Sequence, residues 1–163
     1  MKKQNPLIKS KKRVKDFAEV FTPDFIVKDM CDLIPSEIWQ NIESTFLEPA
    51  CGTGNFLAEI MNRKYLLCKT EKDGLKALTA IIGVDIQQDN VTECRERLLA
   101  QYIERFPNAT HSAVTFASLI LFNNIICDDF LNPKTERLRS LILTSNISTE
   151  NHKEKIEQLC FLT

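Results

Sequence analysis

The residues best placed to do chemistry lie in the run Leu47-Glu48-Pro49-Ala50-Cys51-Gly52-Thr53-Gly54-Asn55-Phe56-Leu57. A carboxylate is followed by a glycine turn and then by the start of an apolar helical pattern. Glycines carry no Cβ, so a ligand can lie against the backbone of Gly52 and Gly54. Glu48 suits a cationic amine held directly or through water. Two further acids end short apolar runs: Asp85 in Gly83-Val84-Asp85-Ile86, and Asp129 after Asn124–Cys127. An ionised carboxylate only accepts hydrogen bonds, so Asp85 is suited to both hydroxyls of a ribose. Ile86 and Phe130 can sandwich an adenine ring, with Asp129 accepting from its amino group. An adenine nucleoside bearing an amine is S-adenosyl-L-methionine, and that is the cofactor these residues point to.

The elements needed to position them follow from the pattern. Strands are expected at Thr45–Leu47, Ala80–Asp85 and Asn124–Cys127, short apolar runs of the kind covered on both faces. Thr22 is expected to cap a helix with Pro23 in its first turn and Phe25, Ile26, Met30, Leu33 and Ile34 as its buried stripe. Pro35 ends that helix, and a short one around Ser36 to Glu43 follows. Further helices are expected from Asn55 to Tyr65, from Asn90 to Phe106, and over Val114 to Phe122. In the second of these Val91, Cys94, Leu98, Tyr102 and Ile103 face inward. Residues 66–79 read as an inserted loop or short helix, and Leu141-Ile142-Leu143 as a fourth strand. Alternating strands and helices mean an α/β fold with a parallel sheet. In such sheets ligands bind at the carboxyl ends of the strands. Glu48, Asp85 and Asp129 all fall there. Each alone has an ordinary reading, as a turn cap, a helix-start acid or a turn residue. Three on one rim around a glycine turn favour a site.

Composition sets the frame. The 163 residues suit one domain with a sizeable core. No apolar run approaches the ~18 residues of a membrane span, and no signal peptide is visible, so the expected location is cytoplasmic with no membrane partner. Six scattered cysteines form no C-x-x-C pair, so no metal site is expected. Charge is uneven. Residues 1–15 hold six lysines and Arg13 with no acid, while the remainder has 14 bases against 22 acids. A basic N-terminal arm, residues 1–16, therefore precedes the body, 17–163; it suits a phosphate backbone or a solvated terminus. A dinucleotide site would want G-x-G-x-x-G, but Leu57 stands at the third position; a P-loop is excluded because no Gly-Lys-Ser/Thr follows.

Four segments together resemble a known family: Glu19-Val20-Phe21-Thr22-Pro23, Phe46 to Leu57, Ile82-Gly83-Val84-Asp85-Ile86, and Ile125-Ile126-Cys127-Asp128-Asp129-Phe130-Leu131. They are similar to the front half of the adenine-specific (N6) DNA methyltransferases of restriction–modification systems, over roughly residues 17–132. The resemblance implies a Rossmann-like class I methyltransferase fold with an incomplete parallel sheet. It implies that Phe21, Thr22 and Pro23 meet the methionine end of the cofactor. Glu48, Ala50, Cys51, Gly52, Thr53, Gly54, Asn55 and Phe56 would form the glycine motif, Asp85 and Ile86 the ribose end, and Asp129 and Phe130 the adenine end. Asp128 departs from the family, which usually has glycine there.

A larger departure concerns catalysis. The family's Asn/Asp-Pro-Pro-Tyr/Phe motif, which holds the flipped target base, does not occur in these residues; Asn132-Pro133-Lys134 lacks the second proline and the aromatic, and Ser145-Asn146-Ile147-Ser148 is no substitute. No catalytic residue is therefore assigned. The expectation is the cofactor-binding part of such an enzyme, acting on adenine in DNA only with a missing catalytic half. The alternatives are a non-catalytic cofactor- or protein-binding module derived from it and an oxidoreductase-type nucleotide binder, which Leu57 opposes. With few strands beyond the first, an open edge is expected, covered by the missing half or by a second copy. A stripe of Ile156, Leu159, Cys160 and Leu162 would let the tail fold back as a helix.

Overall fold

The computed structural model describes residues 7–17 and 19–144. Elements follow in the order α1 (Lys11–Phe17), α2 (Asp24–Asp32), α3 (Ser36–Trp39), β1 (Phe46–Glu48), α4 (Asn55–Tyr65), α5 (Glu71–Thr79), β2 (Ile81–Asp85), α6 (Gln88–Arg105), α7 (His111–Asn124), β3 (Ile125–Cys127) and α8 (Glu136–Thr144). The three strands form one parallel sheet in the order β1-β2-β3. Its register pairs Glu48 with Gly83 and Asp85 with Cys127, so the strand ends that carry the acids share one rim. This is an α/β architecture compatible with a Rossmann-like fold.

Strand alternation divides the core. Ile81 and Ile125 face one side, where Leu57, Met61, Leu98 and Leu121 close a continuous apolar cluster. Val84 faces the other, under Leu138 and Ile142 of α8 and beside Phe130. Three expectations change here and one alternative is decided. Leu141–Leu143 is helix, not a fourth strand: Thr135 accepts from Leu138 N and Arg139 N, starting α8, and Leu138 and Ile142 at helical spacing cover Val84. Of the loop and short helix expected as alternatives over 66–79, the structure has the helix, Glu71–Thr79, which Thr70 and Asp73 start with a reciprocal capping box. On α6, Val91, Cys94, Leu98 and Tyr102 are buried as expected, but Ile103 is exposed. On α2, Pro23 precedes the first turn rather than opening it, and Thr22 makes no cap. The buried face of α2 is Val27 and Cys31, against α4, leaving Phe25, Ile26 and Leu33 exposed.

Lys64 is buried yet points its ammonium at Ile42 O (2.7 Å), Ser44 O (2.6 Å) and the Phe46 ring. It fastens the approach to β1. Among the described residues no strand pairs with the outer edge of β1. None of the described helices is long and apolar enough to cross a membrane. Residues 145–163, including the expected tail stripe and Asn146, lie outside the described residues, as do residues 1–6 of the basic arm.

Candidate cofactor site

The site is built at the carboxyl ends of the strands. Cys51 N donates to Val84 O at 2.8 Å, and Gly54 N donates to Cys51 O at 2.8 Å, folding the glycine turn over β2. Gly52 and Gly54 both adopt left-handed backbone, φ +52° and +85°, a region that disfavours any side chain. Their bare faces are occupied by protein. A Cβ on Gly52 would meet the Phe21 ring at 3.1 Å, and one on Gly54 would meet Cys94 Sγ at 2.6 Å. Gly54 thus lets α6 approach the turn, a reason for the glycine that differs from ligand access.

Asp85 ties the turn to the start of α6. Its Oδ2 accepts from Gly52 N at 2.9 Å, and its Oδ1 from Gln87 N at 2.7 Å and Asn90 Nδ2 at 3.2 Å. Beside it opens a cleft of about 360 Å³, lined by Phe21, Ala50, Gly52, Asp85, Ile86, Asp129 and Phe130 among others. Seven of the expected site residues therefore meet in one cleft. Asp129 is anchored by Leu131 N (3.0 Å) and Asn132 Nδ2 (3.2 Å). A second cavity of about 500 Å³ is lined by Phe21, Thr22, Pro23, Thr53 and Asn55. Phe21 is common to both cavities. Asn55 donates to Thr22 O at 2.8 Å and accepts from Arg97.

Four expected residues line neither cavity. Cys51 and Gly54 are structural parts of the turn, and Phe56 packs on the core. The Cys51 thiol is pushed well above its ordinary value by a hydrogen bond with Cys94 and by burial. Glu48 turns back toward Ala50 N at 3.4 Å. Burial pushes its carboxyl up, and the Ala50 N–H only partly opposes this. A cation arriving beside Glu48 would relieve that cost.

Asp128 also has a defined place. Burial acts to raise its carboxyl, but hydrogen bonds prevail and hold it below the ordinary range. It accepts from Thr135 Oγ1 (2.6 Å), Thr135 N (2.8 Å), Asp129 N (2.8 Å) and Lys134 N (3.1 Å). Where the resembling family has glycine, this chain has a carboxylate that shapes the loop between Asp129 and α8.

Among the cleft residues that the sequence reading did not assign to the site are Glu19 and Asn90. Asn90 extends the buried α6 stripe by one helical step before Cys94, and an amide at an apolar-stripe position was the available signal. Glu19 gives no signal beyond its place in the Glu19–Pro23 run. The basic arm reaches the same region. Arg13 pairs with Glu19 and Asp89, and Lys9 with Asp89 (3.0 Å) and Glu93 (2.8 Å). These two bases are therefore committed to the body. No group of three His, Cys, Asp or Glu side chains suited to a metal ion occurs among the described residues.

The chain is related to a methyltransferase over part of its length. Over 78 residues, 48% of the chain, it is 35% identical to the Type II methyltransferase M.VspI of Vibrio sp. (strain 343). The match spans 16% of that relative's length. No family model matches the chain, and no solved structure matches it. The methyltransferase relationship therefore rests on this partial likeness and makes S-adenosyl-L-methionine the cofactor to be tested.

Proposed function

We propose that this chain binds S-adenosyl-L-methionine as the cofactor-holding part of a DNA adenine-N6 methyltransferase of a restriction–modification system. The observation that carries the reading is the cleft lined jointly by Phe21, Ala50, Gly52, Asp85, Ile86, Asp129 and Phe130. The residues fit the group. Asp85 and Asp129 offer acceptors for ribose hydroxyls and an exocyclic amine, Ile86 and Phe130 offer apolar faces for a purine, and buried acceptors at the cleft lack donors. The second cavity, with Thr22, Thr53 and Asn55, is polar enough for an amino-acid end. When bound, the cofactor supplies an electrophilic methyl group. The residues of this chain bind and orient it, and shield it from solvent along the Phe21 side.

Nothing among the 163 residues matches the family's motif for holding a target base. Transfer to DNA then depends on a further segment, because acceptor positioning carries much of the rate. That same observation favours a second reading, a non-catalytic module that binds the cofactor or a protein partner.

Calorimetric titration with S-adenosylhomocysteine tests the proposal. The protein is expected to bind one equivalent. Asp85→Ala is expected to weaken binding by about ten- to a hundredfold, the worth of a hydrogen bond to a charged group. Equal affinity in wild type and Asp85→Ala would defeat the assignment. Tritiated-methyl incorporation into DNA, expected to match a no-enzyme control, distinguishes a cofactor-holding part from a complete enzyme.

A further inference from the structure

We infer that Glu19 is a second carboxylate of the ribose site, sharing with Asp85 the two hydroxyls of a bound nucleoside; this rests on the reading of the cleft as an adenosyl-cofactor site. Asp85 cannot serve a vicinal diol alone. Its Oδ1 already accepts from Gln87 N and Asn90 Nδ2, which uses both lone pairs. Its Oδ2 accepts from Gly52 N, which leaves one position. A diol brings two donors, so the second hydroxyl needs another acceptor beside the first.

Two free acceptors line the cleft there, Glu19 Oε1 and Asn90 Oδ1, and the charged Glu19 is the stronger of the two. The Asn90 amide NH₂ that reaches Asp85 at 3.2 Å also reaches Glu19 Oε2 at 2.8 Å, bracing the two carboxylates against each other. Both residues line the cleft with Asp85. The Glu19 side chain is 9% exposed and Asn90 is 1% exposed. Glu19 Oε1 and Asn90 Oδ1 are both buried with no hydrogen-bond partner among the described residues. The Asn90 amide cannot be turned over to satisfy its oxygen, because both of its neighbours are carboxylates that only accept. Among the cleft-lining side chains here the free atoms are therefore acceptors, and a ligand must bring donors; Arg13 Nε, a buried donor also without a partner, belongs to a residue that does not line the cleft. A metal ion is the poorer fit, since Arg13 already meets the Glu19 charge through Oε2. A neutral hydroxyl suits Oε1.

The test is calorimetric titration of the 163-residue protein with S-adenosylhomocysteine and with its 2′-deoxy and 3′-deoxy counterparts. Glu19→Gln is expected to weaken S-adenosylhomocysteine about tenfold. With one of the two deoxy ligands, which lacks the hydroxyl that Glu19 holds, Glu19→Gln is expected to cost nothing further. The same loss on all three ligands, or no loss on the first, overturns the inference. Glu19→Asp keeps the charge opposite Arg13 while withdrawing the carboxylate, and the same pattern is expected from it; thermal melting confirms that each variant is folded. Binding by wild type that needs Asp85 but not Glu19 overturns this inference alone. No binding by folded wild type overturns the cofactor reading with it.

Discussion

Gly54→Ala separates the two reasons a glycine can occupy this turn. At φ +85° an L side chain costs about 1–2 kcal/mol in backbone conformation. The new Cβ would also lie 2.6 Å from Cys94 Sγ, far inside contact distance, and overpacking of this kind costs about 1–3 kcal/mol. The expected total is about 2–5 kcal/mol, a large share of the ~5–15 kcal/mol that holds a domain together. The two parts can be measured apart. Cys94→Ala removes the sulfur, and the next atom is then Cys94 Cβ at 3.4 Å, ordinary contact. Urea denaturation of wild type, Gly54→Ala, Cys94→Ala and the double variant closes the cycle. A coupling of about 1–3 kcal/mol is expected, with the double variant more stable than the two single losses would sum to. Coupling within ~0.5 kcal/mol of zero would refute the packing explanation and leave the positive φ as the reason for the glycine.

Other perturbations follow from the same structure. Lys64 is pushed down to about 8 from 10.5 by burial. Between those values the unfolded chain binds more protons, so stability should rise as pH goes from about 8 to 10.5; this slope should vanish in Lys64→Met, as read by pH-dependent melting. The depressed Asp128 carboxyl works in the opposite range. Its stabilisation is complete above the ordinary carboxylate range and is lost as pH falls through it, and Asp128→Asn should flatten that acid limb in the same experiment. Among the described residues the outer edge of β1 is unpaired, and together with the exposed Phe25 and Ile26 of α2 and Leu33 just after it this predicts self-association or association with a partner chain. Light scattering that finds a monomer at high concentration would contradict this.

Much of this site was legible in the residues because its signals are local. Helix α4 covers the expected Asn55–Tyr65, and β2 differs from expectation by one residue. Strand-end acids and a glycine turn are read within a few positions of each other. The errors arose where distant partners decide. Leu141-Ile142-Leu143 is too short for periodicity to separate strand from helix, and the Thr135 cap and Val84 made the choice. The apolar residues of α2 fit two faces, and contact with α4 selected Val27 and Cys31. Glu19 and Asn90 are 71 positions apart, so their hydrogen bond exists only once α6 and the N-terminal segment meet. Gly54 was recognised as a position that excludes a side chain, but only the approach of Cys94 shows which neighbour excludes it.

The central claim is that the cleft between Gly52, Asp85 and Phe130 holds the adenosyl half of the cofactor. A crystal structure of the protein soaked with S-adenosylhomocysteine tests it most directly. The adenine ring is expected between Ile86 and Phe130, with the ribose hydroxyls shared between Asp85 and Glu19. An empty cleft at saturating ligand, or a ligand seated elsewhere on the molecule, would contradict it.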